Sequence, residues 1–147
     1  MNKVRYFIGL LVFIAIFSLL VYGAGGNLFI LLDVLSIVIT AVLTIVLLRT
    51  GWTFREMGKA FSAAFDERED KPSLSVADAF FTAMGRYLNL SAVLGTVTGV
   101  IITMRYLTDK TQLGPNLALA LLSILYAVLL QLAVVVPMRA MIQKKLK

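Results

Sequence analysis

The sequence predicts an all-α integral membrane protein: four transmembrane helices, with a short amphipathic cytoplasmic segment between helices two and three. Three observations predict it. Of the 147 residues, 60% are hydrophobic and 15% charged, against about 45–50% and 25% in soluble domains, and the mean hydropathy is +0.92. The apolar residues gather into runs of the roughly 20 that a helix needs to cross a hydrocarbon core of about 30 Å. The 14 Lys and Arg against 8 Asp and Glu, a net charge of +6, lie beside those runs. There they act as topological signals and not as a nucleic-acid surface.

The first span runs from Val4 to Tyr22, with Lys3 and Arg5 at its start. A signal peptide competes here, because the run ends in the small residues Gly23 and Ala24. The run is longer than the usual apolar region of about 7–15 residues, so a retained helix is expected; cleavage would leave three spans and move the N-terminus outside. Gly23, Ala24, Gly25, Gly26 and Asn27 then break the chain, and the second span, Leu28 to Leu48, forms a tight hairpin with the first.

The connection from Arg49 to Tyr87 is expected in the cytoplasm. Trp52, Phe54, Met57, Phe61, Ala64 and Phe65 recur at helical spacing while Arg55, Glu56 and Lys59 take other faces, which predicts an amphipathic helix. Such a helix either lies on the inner leaflet or continues span two into the cytosol. Asp66, Glu67, Arg68, Glu69, Asp70, Lys71 and Pro72 read as a solvated mixed-charge linker. Ser75 with Asp78 three residues later resembles an N-cap, placing the start of a helix near Val76. No breaker follows before span three except Gly85, so span three extends a few turns into the cytoplasm.

The third span runs from Leu88 to Leu107 and the fourth from Pro115 to Met138, making residues 1–147 a single membrane domain. Twelve of the basic residues fall before span one, between spans two and three, and after span four, and only Arg105 and Lys110 flank the other side. Short cytoplasmic loops retain Lys and Arg, so both termini face the cytoplasm.

Small and polar residues carry the information inside lipid, where the hydrophobic effect gives helices no reason to associate. Ser91, Gly95, Gly99 and Thr103 are spaced four apart on span three, with Thr96 and Thr98 beside them. This face suits intimate contact, either with span four or with another subunit, or as a hydroxyl-lined path. Span four carries Asn116, Ser123, Tyr126 and Gln131. A serine can satisfy itself on its own helix, whereas a carboxamide as deep as Gln131 calls for a partner on another one.

Ionisable groups in a membrane mark function, and none stands near mid-span. Asp33 and Arg105 sit near the outer ends of spans two and three, where interfacial anchoring or an outer-end polar pair is expected. A proton relay built by this chain alone lacks its carboxylate, so if ions pass, another polypeptide contributes the titrating group. With no Cys and no His, the chain offers no thiolate nucleophile, imidazole base or usual zinc site. No phosphate loop or nucleophile–base pair can be assembled, so neither an enzyme nor a cofactor is expected. A solute carrier is disfavoured by the lack of a substrate-sized charge cluster and of an evident repeat.

The order of residues resembles the MotA/TolQ/ExbB family of ion-driven motor subunits. Tyr87 to Thr103, YLNLSAVLGTVTGVIIT, is similar to the family's third helix, where Leu-Gly-Thr is followed by a second Gly. The stretch after it keeps the landmarks of an Asp-containing turn, Leu-Gly-Pro, Ala-Leu-Leu, Tyr, and a Pro eleven residues after that Tyr. Here they are Asp109, Gly114, Pro115, Ala120, Leu121, Leu122, Tyr126 and Pro137. Leu32, Asp33 and Ser36 resemble the start of the family's second helix, with Leu35 where a Pro would stand.

The resemblance implies a homo-oligomeric ring, usually a pentamer, around two copies of a single-span partner of the MotB/ExbD type whose membrane Asp binds the ion. It implies that Thr96 lines the ion route. At the family's second hydroxyl position this chain has Ile124, with Ser123 just before it. Tyr126 would pack or gate at the partner, and Pro137 would end or bend span four. Family members normally carry a sizeable cytoplasmic domain between the second and third helices, and only Arg49 to Tyr87 occupies that place here. The first functional expectation is thus an ion-channel-forming motor subunit; the alternative is a non-conducting structural or assembly subunit of the same fold.

Overall fold

The computed structural model describes residues 2–66, 69–105 and 110–147, and among them every regular element is helical. In order these are α1 (Asn2–Gly23), a 3-10 turn (Leu28–Leu31), α2 (Val34–Arg49), α3 (Phe54–Phe65), α4 (Lys71–Met104), α5 (Lys110–Leu130), a π-helical turn (Gln131–Val135) and α6 (Val136–Leu146). Three stretches are long and apolar enough to cross a membrane: Lys3–Gly23, Lys71–Met104 and Thr111–Leu146. A fourth is reached if Val34–Arg49 and Phe54–Phe65 form one bent span. Glu67 and Arg68 of the expected linker, Leu107 at the expected end of span three, and Asp109 lie outside the described residues.

Two compact units divide the chain. The first comprises Met1–Leu32, Trp52–Thr82 and Leu132–Lys147. Its α1 matches the expected first span, and side chains such as Phe7, Leu11, Leu19 and Leu20 are exposed along it, as suits a helix apolar on all faces and surrounded by lipid. Gly25, with φ +78°, makes the turn that follows.

The first unit's core is aromatic. Phe80 and Phe81 of α4 are fully buried and meet Phe61 of α3 edge-on, with centroids 6.0 and 5.0 Å away, while Trp52 packs on Phe80 at 5.8 Å. The amphipathic helix forms as its spacing predicts, and part of its apolar face is covered within the chain while Phe54 stays exposed. Ala60, Ala63 and Ala64 are buried, and α3 packs on α6, where Ile142 is fully buried. Both ends of α3 are closed. Thr53 and Glu56 form a capping box at its start, and the Lys145 ammonium donates to the carbonyls of Ala63, Ala64 and Asp66 at 2.9, 2.8 and 2.6 Å at its end. A cation satisfying final carbonyls also complements the helix dipole.

Helix α4 begins at Lys71, earlier than the Ser75 cap predicts. Pro72 suits the first turn, where its missing N–H has no intrahelical acceptor to lose, and the Leu74 N–H already reaches the Asp70 carbonyl at 3.1 Å. Asp78, freed from capping, accepts from Arg139 Nε at 3.2 Å and from Gln143.

The second unit comprises Asp33–Gly51 and Ala83–Gln131, and so holds α2, the later part of α4, and α5. The expected continuous span Leu28–Leu48 is interrupted. Asp33 is the N-cap of α2, its carboxylate accepting from the Ser36 N–H at 2.8 Å and from the Ser36 hydroxyl, an arrangement that avoids setting a carboxylate inside an apolar helix. The 16 residues of α2 span about 24 Å, less than a hydrocarbon core.

Neither proline terminates the fourth span. Helix α5 starts at Lys110 and carries Pro115 within it, and α6 runs on to Leu146 past Pro137. Proline lacks the N–H that residue 137 would give the Ala133 carbonyl. The chain widens into the π turn just before it, and the Tyr6 hydroxyl donates to that carbonyl at 3.0 Å. Such bulges are a usual way to absorb a disrupted helical ladder.

Candidate functional site

The second unit is built on three stripes of small and hydroxyl residues. On α2, Ser36, Thr40 and Thr44 recur every fourth residue and are buried. On α4 the stripe is Ser91, Gly95, Gly99 and Thr103, with Ser91 and Thr103 buried. On α5 it is Ala120, Ser123 and Ala127, all buried. Residues three or four apart share a helix face, so each stripe presents a flat side along which a neighbouring backbone can come close.

The glycines set the closest approach. A methyl at Gly99 would come within 2.7 Å of the Ala120 Cβ and 3.0 Å of its Cα, and one at Gly95 within 2.7 Å of the Ser123 hydroxyl and 3.2 Å of Ile39. The GxxxG face of α4 is therefore filled by α5 of the same chain, the first of the alternatives that its spacing leaves open.

Hydroxyls tie the stripes together through backbone carbonyls of α5. Thr96 donates to the Ala120 carbonyl at 3.0 Å and Thr40 to Ser123 at 3.5 Å, while the Ser36 hydroxyl, whose proton goes to Asp33, lies 3.2 Å from the Leu119 carbonyl. Thr44 donates to the Thr40 carbonyl at 2.6 Å and lies 3.3 Å from the Ser91 hydroxyl, and Thr103 returns to Gly99 on its own helix at 2.8 Å. Beside them lies a half-open cavity of about 140 Å³ lined by Asp33, Ser36, Gly95, Thr98, Asn116 and Ser123, among others. Its walls can solvate a cation or water by hydroxyl and carbonyl oxygens. They hold no titrating group except Asp33 at the α2 terminus.

Tyr126 stands at that terminus too, its hydroxyl accepting from the Asp33 N–H at 2.8 Å. Asp33 and Tyr126 are thus brought together, whereas Asp33 and Arg105 are not: Arg105 follows α4 in an exposed turn, and among the described residues no ion pair joins it to Asp33. Gln131 finds its partner in the side chain of Asn89 on α4. Ile124, at the second hydroxyl position, is 40% exposed.

Sequence reasoning overlooked the α2 stripe and Asn89. The signal for the first was available, because Ser36, Thr40 and Thr44 keep the spacing of four that singled out α4. A short apolar helix rich in β-branched residues conceals it, since threonine there reads as filler.

The profile of the MotA/TolQ/ExbB proton channel family matches residues 41–147. That segment holds Thr96, Ser123 and Tyr126 and begins after Asp33. The uncharacterized protein YtxD of Bacillus subtilis (strain 168) is 33% identical over an alignment of 98 residues, with 65% of this chain and 34% of that protein covered. The chain thus spans about a third of the length of this curated relative. No solved structure matches.

Proposed function

Because the chain belongs to the MotA/TolQ/ExbB proton channel family, we propose that it is an ion-channel-forming subunit of a motor-like complex, assembled as a ring around a single-span partner whose membrane Asp binds the ion. One observation supports this reading most. The second unit is a glycine- and hydroxyl-lined helix bundle beside a cavity of about 140 Å³, yet residues 34–48, 87–104 and 111–138 contain no Asp, Glu, Lys or Arg. Its one carboxylate beside the cavity among the described residues, Asp33, is engaged as the cap of α2, so the helices can line a route while a partner's carboxylate supplies the mid-membrane proton site that they lack.

In this reading Thr96 and Ser123 flank the route, and Tyr126 fixes the entrance of α2 through Asp33. The chain acts as a single membrane domain in the bacterial inner membrane, with both termini cytoplasmic, as its basic residues favour.

A second reading, a structural or assembly subunit that conducts nothing, is favoured by a different observation. The hydroxyls of Thr96, Ser36, Thr40 and Thr44 all donate within the chain, and Ile124 stands where a second hydroxyl would serve.

Ion flux into proteoliposomes holding the chain with its co-purified partner separates the two. The channel reading expects flux that disappears when the partner's membrane Asp becomes Asn, and when Thr96 becomes Val with assembly intact. Unchanged flux in a correctly assembled Thr96→Val complex removes Thr96 from the route. Absence of flux in the unmodified complex supports the structural reading.

A further inference from the structure

A second cavity, of about 260 Å³, lies in the first unit. Gly9, Leu10 and Phe13 of α1, Leu132 of the π turn and Pro137 of α6 form its apolar walls, and Arg5 stands at one end. From Arg5 to Phe13 the helix rises about 12 Å, so the groove leads from a guanidinium at the start of a membrane-spanning helix into its hydrocarbon-facing depth. Its polar backbone is already satisfied, because the Tyr6 hydroxyl takes the Ala133 carbonyl that Pro137 leaves free. Gly9 keeps the floor open: a methyl there would meet nothing within 4 Å.

Arg5 is exposed, and among the described residues no carboxylate pairs with it. Arg139, by contrast, is engaged by Asp78. A guanidinium at a membrane boundary with no anion of its own, followed by an uncharged apolar groove, complements a molecule with one anionic head and a hydrocarbon tail. Arginine presents a fork of donors that suits phosphate oxygens. A spanning helix of a second copy fits less well, because residues 6–32 and 110–146 carry no carboxylate to bring to Arg5 and Asp78 of α4 is already held by Arg139 and Gln143.

We propose that this groove is a docking site for one anionic glycerophospholipid, its phosphate on Arg5 and an acyl chain along Gly9, Leu10 and Phe13. The lipid covers α1 where the protein does not, and fastens the N-terminal helix to the π turn. The assignment depends on the chain lying in a bilayer and not on whether it conducts.

The test is photo-crosslinking of the full chain in nanodiscs, with phosphatidylglycerol or phosphatidylcholine carrying a diazirine on one acyl chain, and peptide mapping of the adducts. The proposal expects adducts on 9–13 and on Leu132, with phosphatidylglycerol favoured about fivefold, the preference that one basic residue confers at an anionic surface. Arg5→Gln lowers the phosphatidylglycerol yield to that of phosphatidylcholine. Gly9→Leu, which enters open space, removes adducts of both probes. Equal yields from the two probes in the unmodified protein, or an unaltered preference in Arg5→Gln, overturn the headgroup assignment. No adduct of either probe on 9–13 overturns the site and indicates that protein, such as a second copy, covers the groove. Should Gly9→Leu fail to fold, the Arg5→Gln comparison decides alone.

Discussion

Tyr6 donates its hydroxyl proton to the carbonyl oxygen of Ala133 at 3.0 Å, and this is the acceptor that Pro137 deprives of its intrahelical donor. The first helix thereby completes a hydrogen-bond ladder that the last one breaks. Tyr6→Phe should destabilise the folded protein by about 0.6 kcal/mol and by no more than about 1.7, the range found for side-chain hydrogen bonds within membranes. Pro137→Ala returns an N–H to the ladder, so on that background Tyr6→Phe should cost close to nothing. Unfolding in mixed micelles measures the cycle, and an equal cost on both backgrounds would separate Tyr6 from the proline.

Gly99 and Gly95 should differ in their tolerance of a methyl group. At Gly99 the new carbon meets the Ala120 Cα at 3.0 Å as well as its Cβ, and a backbone atom cannot turn aside. At Gly95 the nearest atom is the Ser123 hydroxyl, which can rotate away, leaving side-chain carbons of Ser123 at 3.0 Å and Ile39 at 3.2 Å but no backbone atom as close. Gly99→Ala is therefore expected to cost about 1–3 kcal/mol, the usual range for overpacking, and Gly95→Ala less. Gly95→Leu should separate α4 from α5 within one chain as well as disturb any assembly. Thermal unfolding of the three variants gives the order, and a Gly95→Ala variant weaker than Gly99→Ala would contradict it.

Much of the architecture was legible in the residues. The first span, the break at Gly23 to Asn27 and the small-residue face of α4 follow from run length and spacing alone. The interruption at Asp33 was harder to see, because Leu28 to Leu32 extend the apolar run across it. The cap is nonetheless written as Asp33-x-x-Ser36, just as Thr53-x-x-Glu56 writes the start of α3. The start of α4 went to Ser75 because Pro72 reads as a breaker when it is also a good first-turn residue. The π turn leaves no mark, since a helix apolar on every side shows no shift of phase. Which surface covers α3 was not legible either, because an amphipathic pattern states that a face will be buried and not against what.

Helix α3 should show a pH dependence at its first turn. The Thr53 backbone N–H and hydroxyl donate to the Glu56 carboxylate at 2.7 and 2.8 Å and hold its carboxyl below the ordinary range. A lowered value in the folded state means that the contribution is complete above the ordinary glutamate value of about 4.3. It is then lost as the pH falls through the folded value. Hydrogen-exchange protection of amides 54–57 should accordingly drop in acid, and Glu56→Gln should flatten that dependence. The same acid loss in Glu56→Gln would assign it to another group.

The central claim, a channel-forming subunit that surrounds a partner, is tested most directly by native mass spectrometry of the complex purified in mild detergent, with every co-purifying chain identified. The account predicts a homo-oligomeric ring, a pentamer on the family pattern, that retains a single-span protein with an Asp in its membrane segment. A monomer or a partnerless dimer, reproduced in lipid nanodiscs, would contradict it and leave the family membership as a record of shared fold alone.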